Sequence, residues 1–193
     1  MKYLNANSPI LLIIGPSGAG KSSIAQELEQ IGLIKVIPTW TNRPIRNDEN
    51  FINHKFISSA KFEKLKEDNF FLETVKLFDL DYEYGLPKIP EVNNLIPSVI
   101  LRAPLIDLFK KHYKNLIVYQ IEANLEALKS RLNKRESDTN KRLEIASEET
   151  RLGRLIADES FDNSDDLSKA LGKVKSSLSN DSRIKVMSFG GIG

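Results

Sequence analysis

The run Pro9-Ile10-Leu11-Leu12-Ile13-Ile14 is apolar without alternation, the pattern of a strand buried on both faces of a parallel sheet. Ser22 to Ile31 then places apolar residues at helical spacing and Gly32 offers a C-terminal stop, so the chain opens as strand, loop, helix. Lys35 to Trp40 is a short β-type run, Thr41 to Glu49 a polar and basic loop, and Asn53 to Ile57 another strand. Ser58 or Ser59 caps a helix over Ala60 to Asp68 with Phe62 and Leu65 on its apolar face. Phe70 to Leu77 and Asp81 to Tyr84 read as strands around the turn Phe78-Asp79-Leu80, and Pro87 to Pro97 as an irregular Pro-rich patch. Ser98 to Leu101 and Leu116 to Ile121 are buried-type strands, separated by a helix with Pro104 in its first turn that runs to about His112. Asn124 caps a helix through Arg135, and a long charged helix follows from Thr139 to Ala157. Asp165 or Asp166 caps a final helix to about Leu178, and Arg183 to Phe189 alternates as a last strand.

Strand and helix alternate at both ends of the chain, which predicts an α/β fold with a three-layer core around a parallel sheet, built from residues 1–38 and 87–193. The strand-rich segment 39–86 reads as a small inserted mixed α/β lobe, and residues 131–150 as a helical lid, all in one folding unit. The 193 residues suffice for one such domain with a real core. A net charge of +2 gives no broad footprint for a nucleic acid polymer. With Cys 0 there is no disulfide, thiolate nucleophile or thiolate metal site, which fits a reducing compartment. The N-terminal apolar run is too short to span a bilayer and leads into a glycine-rich loop where a signal peptide would have its cleavage site, so the expected location is cytoplasmic, with no membrane partner.

That loop carries the chemistry. Gly15-Pro16-Ser17-Gly18-Ala19-Gly20-Lys21-Ser22 between a buried strand and a helix is a phosphate-binding loop. Its glycines let successive backbone N–H groups turn inward around an anion, and the helix that follows aims its positive end at the same point. Lys21 would reach the β and γ phosphates of ATP, Ser22 would place its hydroxyl on Mg²⁺, and Ser23 extends the nucleotide-binding set.

Further motifs name the family. Thr41-Asn42-Arg43-Pro44-Ile45-Arg46-Asn47-Asp48-Glu49 resembles the Thr-Thr-Arg-x-x-Arg-x-x-Glu segment of guanylate kinases, as do Phe71-Leu72-Glu73 and Tyr84-Gly85 their Phe-Leu-Glu and Tyr-Gly segments. Together with the phosphate loop and the Arg131-Leu132, Arg135 and Arg142-Leu143 pattern, the likeness runs in order from about Ile10 to Leu178. The resemblance implies that Arg43, Arg46 and Tyr84 hold the phosphate of GMP, as two guanidinium forks suit a dianion. It implies that Thr39 and Glu73 read guanine, and that Arg131, Arg135 and Arg142 close over the triphosphate, Arg135 toward ATP. Lys21, Arg43, Arg131 and Arg142 would be the catalytic charges, and the protein a monomer or homodimer that phosphorylates GMP with Mg-ATP.

The chain departs from that family at three places. A second phosphate-binding tyrosine becomes His54, the Thr or Ser after Tyr-Gly becomes Leu86, and an acidic Leu-x-Ile-Asp stretch becomes Ile100-Leu101-Arg102-Ala103-Pro104. His54 keeps a donor, whereas Arg102 replaces a carboxylate and is a candidate for an additional acceptor phosphate, with Asp79 and Asp81 as candidate substitutes for the lost acid. These departures leave open a kinase of a phosphorylated sugar on the same fold, or a nucleotide-binding module with weak or no catalysis.

Overall fold

The computed structural model describes residues 2–45, 51–76, 82–133 and 139–184, without the side chains of 139–142. Strand β1 (Ile10–Ile14) is buried at every position and lies between β7 (Ile96–Ile100) and β8 (Leu116–Glu122). With β2 (Ile34–Val36) and β9 (Glu159–Asp162) these form a five-stranded sheet in the order β2-β7-β1-β8-β9, with every pairing parallel. Alternate residues of β1 feed two cores. Leu11 and Ile13 pack with Ile24 and Leu28 of α1 (Lys21–Gln30) and Val174 and Leu178 of α6 (Leu167–Asn180). Ile10, Leu12 and Ile14 pack on the opposite face with Ile106 and Phe109 of α3 (Ile106–Lys110) and Leu152 and Ile156 of α5 (Thr139–Ile156). The expected α/β layering around a parallel sheet is present.

The remaining strands, β3 (Thr39–Thr41), β4 (His54–Phe56), β5 (Phe71–Lys76) and β6 (Glu83–Pro87), form a separate sheet in the order β4-β3-β6-β5. Strand β4 runs parallel to β3, and β6 is antiparallel to both β3 and β5. Helix α2 (Ser59–Glu67) buries Phe62 against Phe71, their rings 4.8 Å apart and stacked, beside Trp40 and Phe70. Helix α4 (Leu125–Asn133) follows β8 and packs Leu128 and Leu132 inward. The caps fall on Ser58, Asn124 and Asp166, each side chain accepting from a backbone N–H of its first helical turn.

Three expectations change. The run Lys35 to Trp40 is two strands in two sheets, because Pro38 has no N–H to continue a ladder and the chain crosses from one sheet to the other there. Strand β9 was not expected from Glu159-Ser160-Phe161-Asp162: it is an edge strand with only Phe161 buried, and its charges hide the pattern. Residues 182–184 are helical where a last strand was expected to begin, and 185–189 lie outside the described residues.

Helix α5 is tied to β8 by a buried polar contact. Gln120 donates to Glu122 Oε1 at 2.8 Å and to the Thr150 carbonyl at 3.0 Å, while Arg154 Nε donates to Glu122 Oε1 at 2.8 Å. Gly153 permits this approach, since a Cβ there would sit 1.7 Å from Gln120 Oε1. Gly153→Ala should therefore destabilise the fold by about 1–3 kcal/mol despite the better helix propensity of Ala, as read by urea unfolding. Hydrogen bonding to Arg154 outweighs burial and holds the Glu122 carboxyl below its ordinary 4.5. A depressed folded value gives stability that is present above that pH and lost as the pH falls below it. Glu122→Gln should accordingly lose less stability than the parent between pH ~5 and ~3 in acid-unfolding titrations.

Candidate active site

The phosphate loop joins β1 to α1 at the carboxyl edge of the parallel sheet, the edge where open α/β sheets bind ligands. Gly15, Gly18 and Gly20 all take positive φ, at 135°, 85° and 95°, which turns the loop N–H groups to its concave side. The first turn of α1 holds no acidic residue to offset its positive end. Lys21 Nζ arches back and donates to the carbonyls of Gly15 and Pro16, each at 2.7 Å, so its ammonium stands on the loop it would serve.

The loop is braced from behind. Asn163, just after β9, is buried and donates Nδ2 to the Ala19 carbonyl at 2.8 Å. It presses so closely that a Cβ on Gly20 would lie 2.2 Å from that nitrogen, so the third glycine serves packing as well as φ. Arg131 of α4 donates to the carbonyls of Gly18 at 3.2 Å, Asn163 at 2.7 Å and Ser164 at 3.1 Å. Its guanidinium thus joins the loop to the segment after β9. Asn163 escaped sequence reasoning because the strand that positions it was itself unrecognised.

Ser22 Oγ accepts from Asn53 Nδ2 at 2.6 Å, a direct bond between the phosphate loop and the start of β4. The other end of the same amide, Asn53 Oδ1, is buried without a partner among the described residues. A hydroxyl and an amide oxygen are hard donors, and Mg²⁺ takes one or two protein oxygens with water and phosphate filling the rest. The Ser22 hydroxyl is such an oxygen, and fits as one protein ligand of a Mg²⁺.

On the second sheet, strand register gathers the remaining candidates. Thr39 pairs with His54, Thr41 with Phe56 and Tyr84, Tyr84 with Val75, and Leu86 with Glu73. Paired residues share a face, so Thr39, His54, Phe56, Tyr84 and Glu73 all stand on one side of the second sheet. That side looks toward the core, where Leu72, Val75 and Leu86 join the β1–α3 cluster. The opposite side carries Trp40 and Phe71 under α2. Thr39 Oγ1 lies 2.6 Å from His54 Nδ1, and the rings of His54 and Tyr84 are 5.8 Å apart. Arg43 is buried, donates to the Pro44 carbonyl at 3.0 Å, and places its guanidinium 4.8 Å from the centre of the Phe56 ring, a cation–π contact. Glu73 accepts from His112, with Oε1 3.0 Å from Nε2.

Two departures from the family pattern have structural roles. Leu86 is fully buried in the core cluster between the sheets. Arg102 stands at the end of β7 and donates Nε to Glu149 Oε1 of α5 at 2.5 Å, with the carboxylate buried. Glu149 was not singled out in the sequence, where it is one charge among many on a polar helix. Arg46 and Arg135, the side chain of Arg142, and Asp79 and Asp81 lie outside the described residues.

A family model described as guanylate kinase matches residues 7–181. The guanylate kinase of Rickettsia bellii (strain RML369-C) is 34% identical over 146 residues, 70% of this chain and 74% of that protein. That of Rickettsia prowazekii (strain Madrid E) is 30% identical over 189 residues, 90% of this chain and 91% of the relative. The crystal structure of guanylate kinase from Anaplasma phagocytophilum shares the fold, with a TM-score of 0.61 over 93% of this chain and 90% of that one at 16% identity. Matches of this length and similarity make the chain a member of the guanylate kinase family.

Proposed function

We propose that this protein transfers the γ-phosphoryl group of Mg-ATP to GMP, releasing ADP and GDP. The observation that supports the reading is the 2.6 Å bond between Ser22 and Asn53, which ties the phosphate loop to the residue that leads into β4 of the second sheet. Family membership favours a nucleotide acceptor over a sugar phosphate, and a phosphate loop with its lysine in place favours catalysis over binding alone.

In this reading the loop N–H groups, the start of α1 and Lys21 hold the triphosphate, and Lys21 follows the γ-phosphoryl charge as it spreads in the transition state. Arg43, His54 and Tyr84, with Arg46, hold the acceptor phosphate, and Glu73 with Thr39 reads the base. Ser22 would hold Mg²⁺ beside Asn53, and the ion when bound neutralises phosphate charge. A phosphate oxygen of the acceptor attacks the γ-phosphorus as the bond to the β-phosphate oxygen breaks, so no general base is required. The protein supplies position and charge. Arg131 contributes by bracing the loop from behind, and Arg102 by pairing with Glu149 on α5; Arg135 and Arg142 belong to the proposed lid. We place the enzyme in the cytoplasm with its nucleotide substrates; among the described residues no helix is long and apolar enough to cross a membrane.

A coupled assay of ADP release should show turnover with GMP and none with ribose bisphosphate-type sugar phosphates; the reverse result would overturn the acceptor assignment. Lys21→Ala should lower turnover by about 10²-fold or more, the cost of losing one preorganised charge. Asn163→Ala leaves the Ala19 carbonyl without its donor and loosens the loop, and should weaken ATP binding about tenfold in calorimetric titration while leaving GMP binding unchanged.

A further inference from the structure

We infer that His112 is a positioning residue for acceptor specificity, which donates a hydrogen bond to Glu73 and fixes the carboxylate in the orientation that reads the base. The inference rests on the proposed role of Glu73. His112 belongs to the parallel-sheet core and its partner to the second sheet. It follows α3, whose Ile106 and Phe109 are fully buried, and its own N–H bonds to the Phe109 carbonyl at 3.0 Å, continuing the helical turn. Glu73 stands on the second sheet, on the face shared with Tyr84 and Thr39. The turn that ends a core helix thus presents a donor to a carboxylate on the other sheet, Nε2 to Oε1, at 3.0 Å.

The geometry leaves room for a ligand. The side chains of His112 and Glu73 are 34% and 30% exposed, so the carboxylate is reachable while the bond is in place. An ionised carboxylate offers about four lone-pair sites, of which His112 uses one. Oε2 and the second site on Oε1 remain for a base edge. To make this bond the imidazole carries its proton on Nε2, because the carboxylate only accepts. A free glutamate side chain must be ordered when a ligand binds, and a donor that holds its rotamer beforehand removes that cost.

The base edge sets how much each acceptor depends on this orientation. Guanine presents an N1–H and a 2-amino group side by side, hypoxanthine presents only the N1–H, and adenine presents neither in that arrangement. A residue acting through Glu73 therefore affects GMP most, IMP less and AMP least. A residue that merely docks one sheet on the other affects all three alike.

The test is steady-state kinetics of the full chain with GMP, IMP and AMP for the parent, His112→Ala, His112→Gln and Glu73→Gln. His112→Ala should raise KM for GMP about threefold to tenfold with kcat within about twofold, and should shrink the preference for GMP over IMP. His112→Gln, whose amide can still donate to Glu73, should recover most of the loss. An equal shift for all three acceptors, or no shift, overturns the inference. So does a His112→Gln variant as impaired as His112→Ala. If Glu73→Gln leaves KM for GMP unchanged, the assignment of Glu73 to the base falls and the inference with it. If Glu73→Gln raises that KM while His112→Ala does not, only the role of His112 is lost.

Discussion

The constraint on which the rest depends is the complete burial of β1 between two parallel neighbours. A strand with no wet face fixes its direction and register through both cores, Leu11 and Ile13 on one side and Ile10, Leu12 and Ile14 on the other. Parallel pairing then brings the carboxyl ends of β1, β7 and β8 to one edge. The phosphate loop leaves β1 there, Arg102 caps β7 there, and Glu122 ends β8 there. Because β7 and β8 flank β1 from opposite sides, the helices that follow them lie on different routes and leave a crevice above β1. A slip of one residue in β1 would exchange its two faces and displace the loop from Asn163.

The second sheet solves a different problem with the same period-of-two logic. One face must be apolar enough to fold, and the other must be polar enough to hold a phosphorylated molecule. Phe62, Phe71 and Trp40 meet the first need; Thr39, His54, Tyr84 and Glu73 meet the second. The irregularity between Phe71 and Glu73 lets Phe71 lie over Gly85 while Glu73 takes the other face. The partly buried charged groups have partners: Arg43 lies over Phe56, Arg102 meets Glu149, and Glu73 meets His112.

Much of this was legible in the residues. The apolar run of β1, the glycine spacing of the loop and the caps Ser58, Asn124 and Asp166 are local signals, and each points to the element that forms. The in-order motifs from the phosphate loop to Arg142-Leu143 carried the family. What stayed hidden depends on distant partners. Strand β9 has one apolar residue and pairs only because β8 offers an open edge. Asn163, Asn53 and Glu149 are ordinary polar residues in sequence, and become part of the site through contacts across more than 30 residues. The run from Lys35 to Trp40 looks continuous in hydrophobicity, and only Pro38 hints that it serves two sheets.

That proline has a counterpart. The chain enters the second sheet just past Pro38 and leaves it at Pro87, and the neighbouring residues Ile37 and Ile89 are both embedded in the core. The covalent wrists of the second sheet are therefore two short crossings, each stiffened at one backbone angle by a pyrrolidine ring. Two fixed backbone angles at the crossings, with the contacts of Leu72, Val75 and Leu86 in the core, hold the second sheet in one orientation against the first. The polar face of that sheet is thereby set at a fixed distance from the phosphate loop, with the Ser22–Asn53 bond as its gauge.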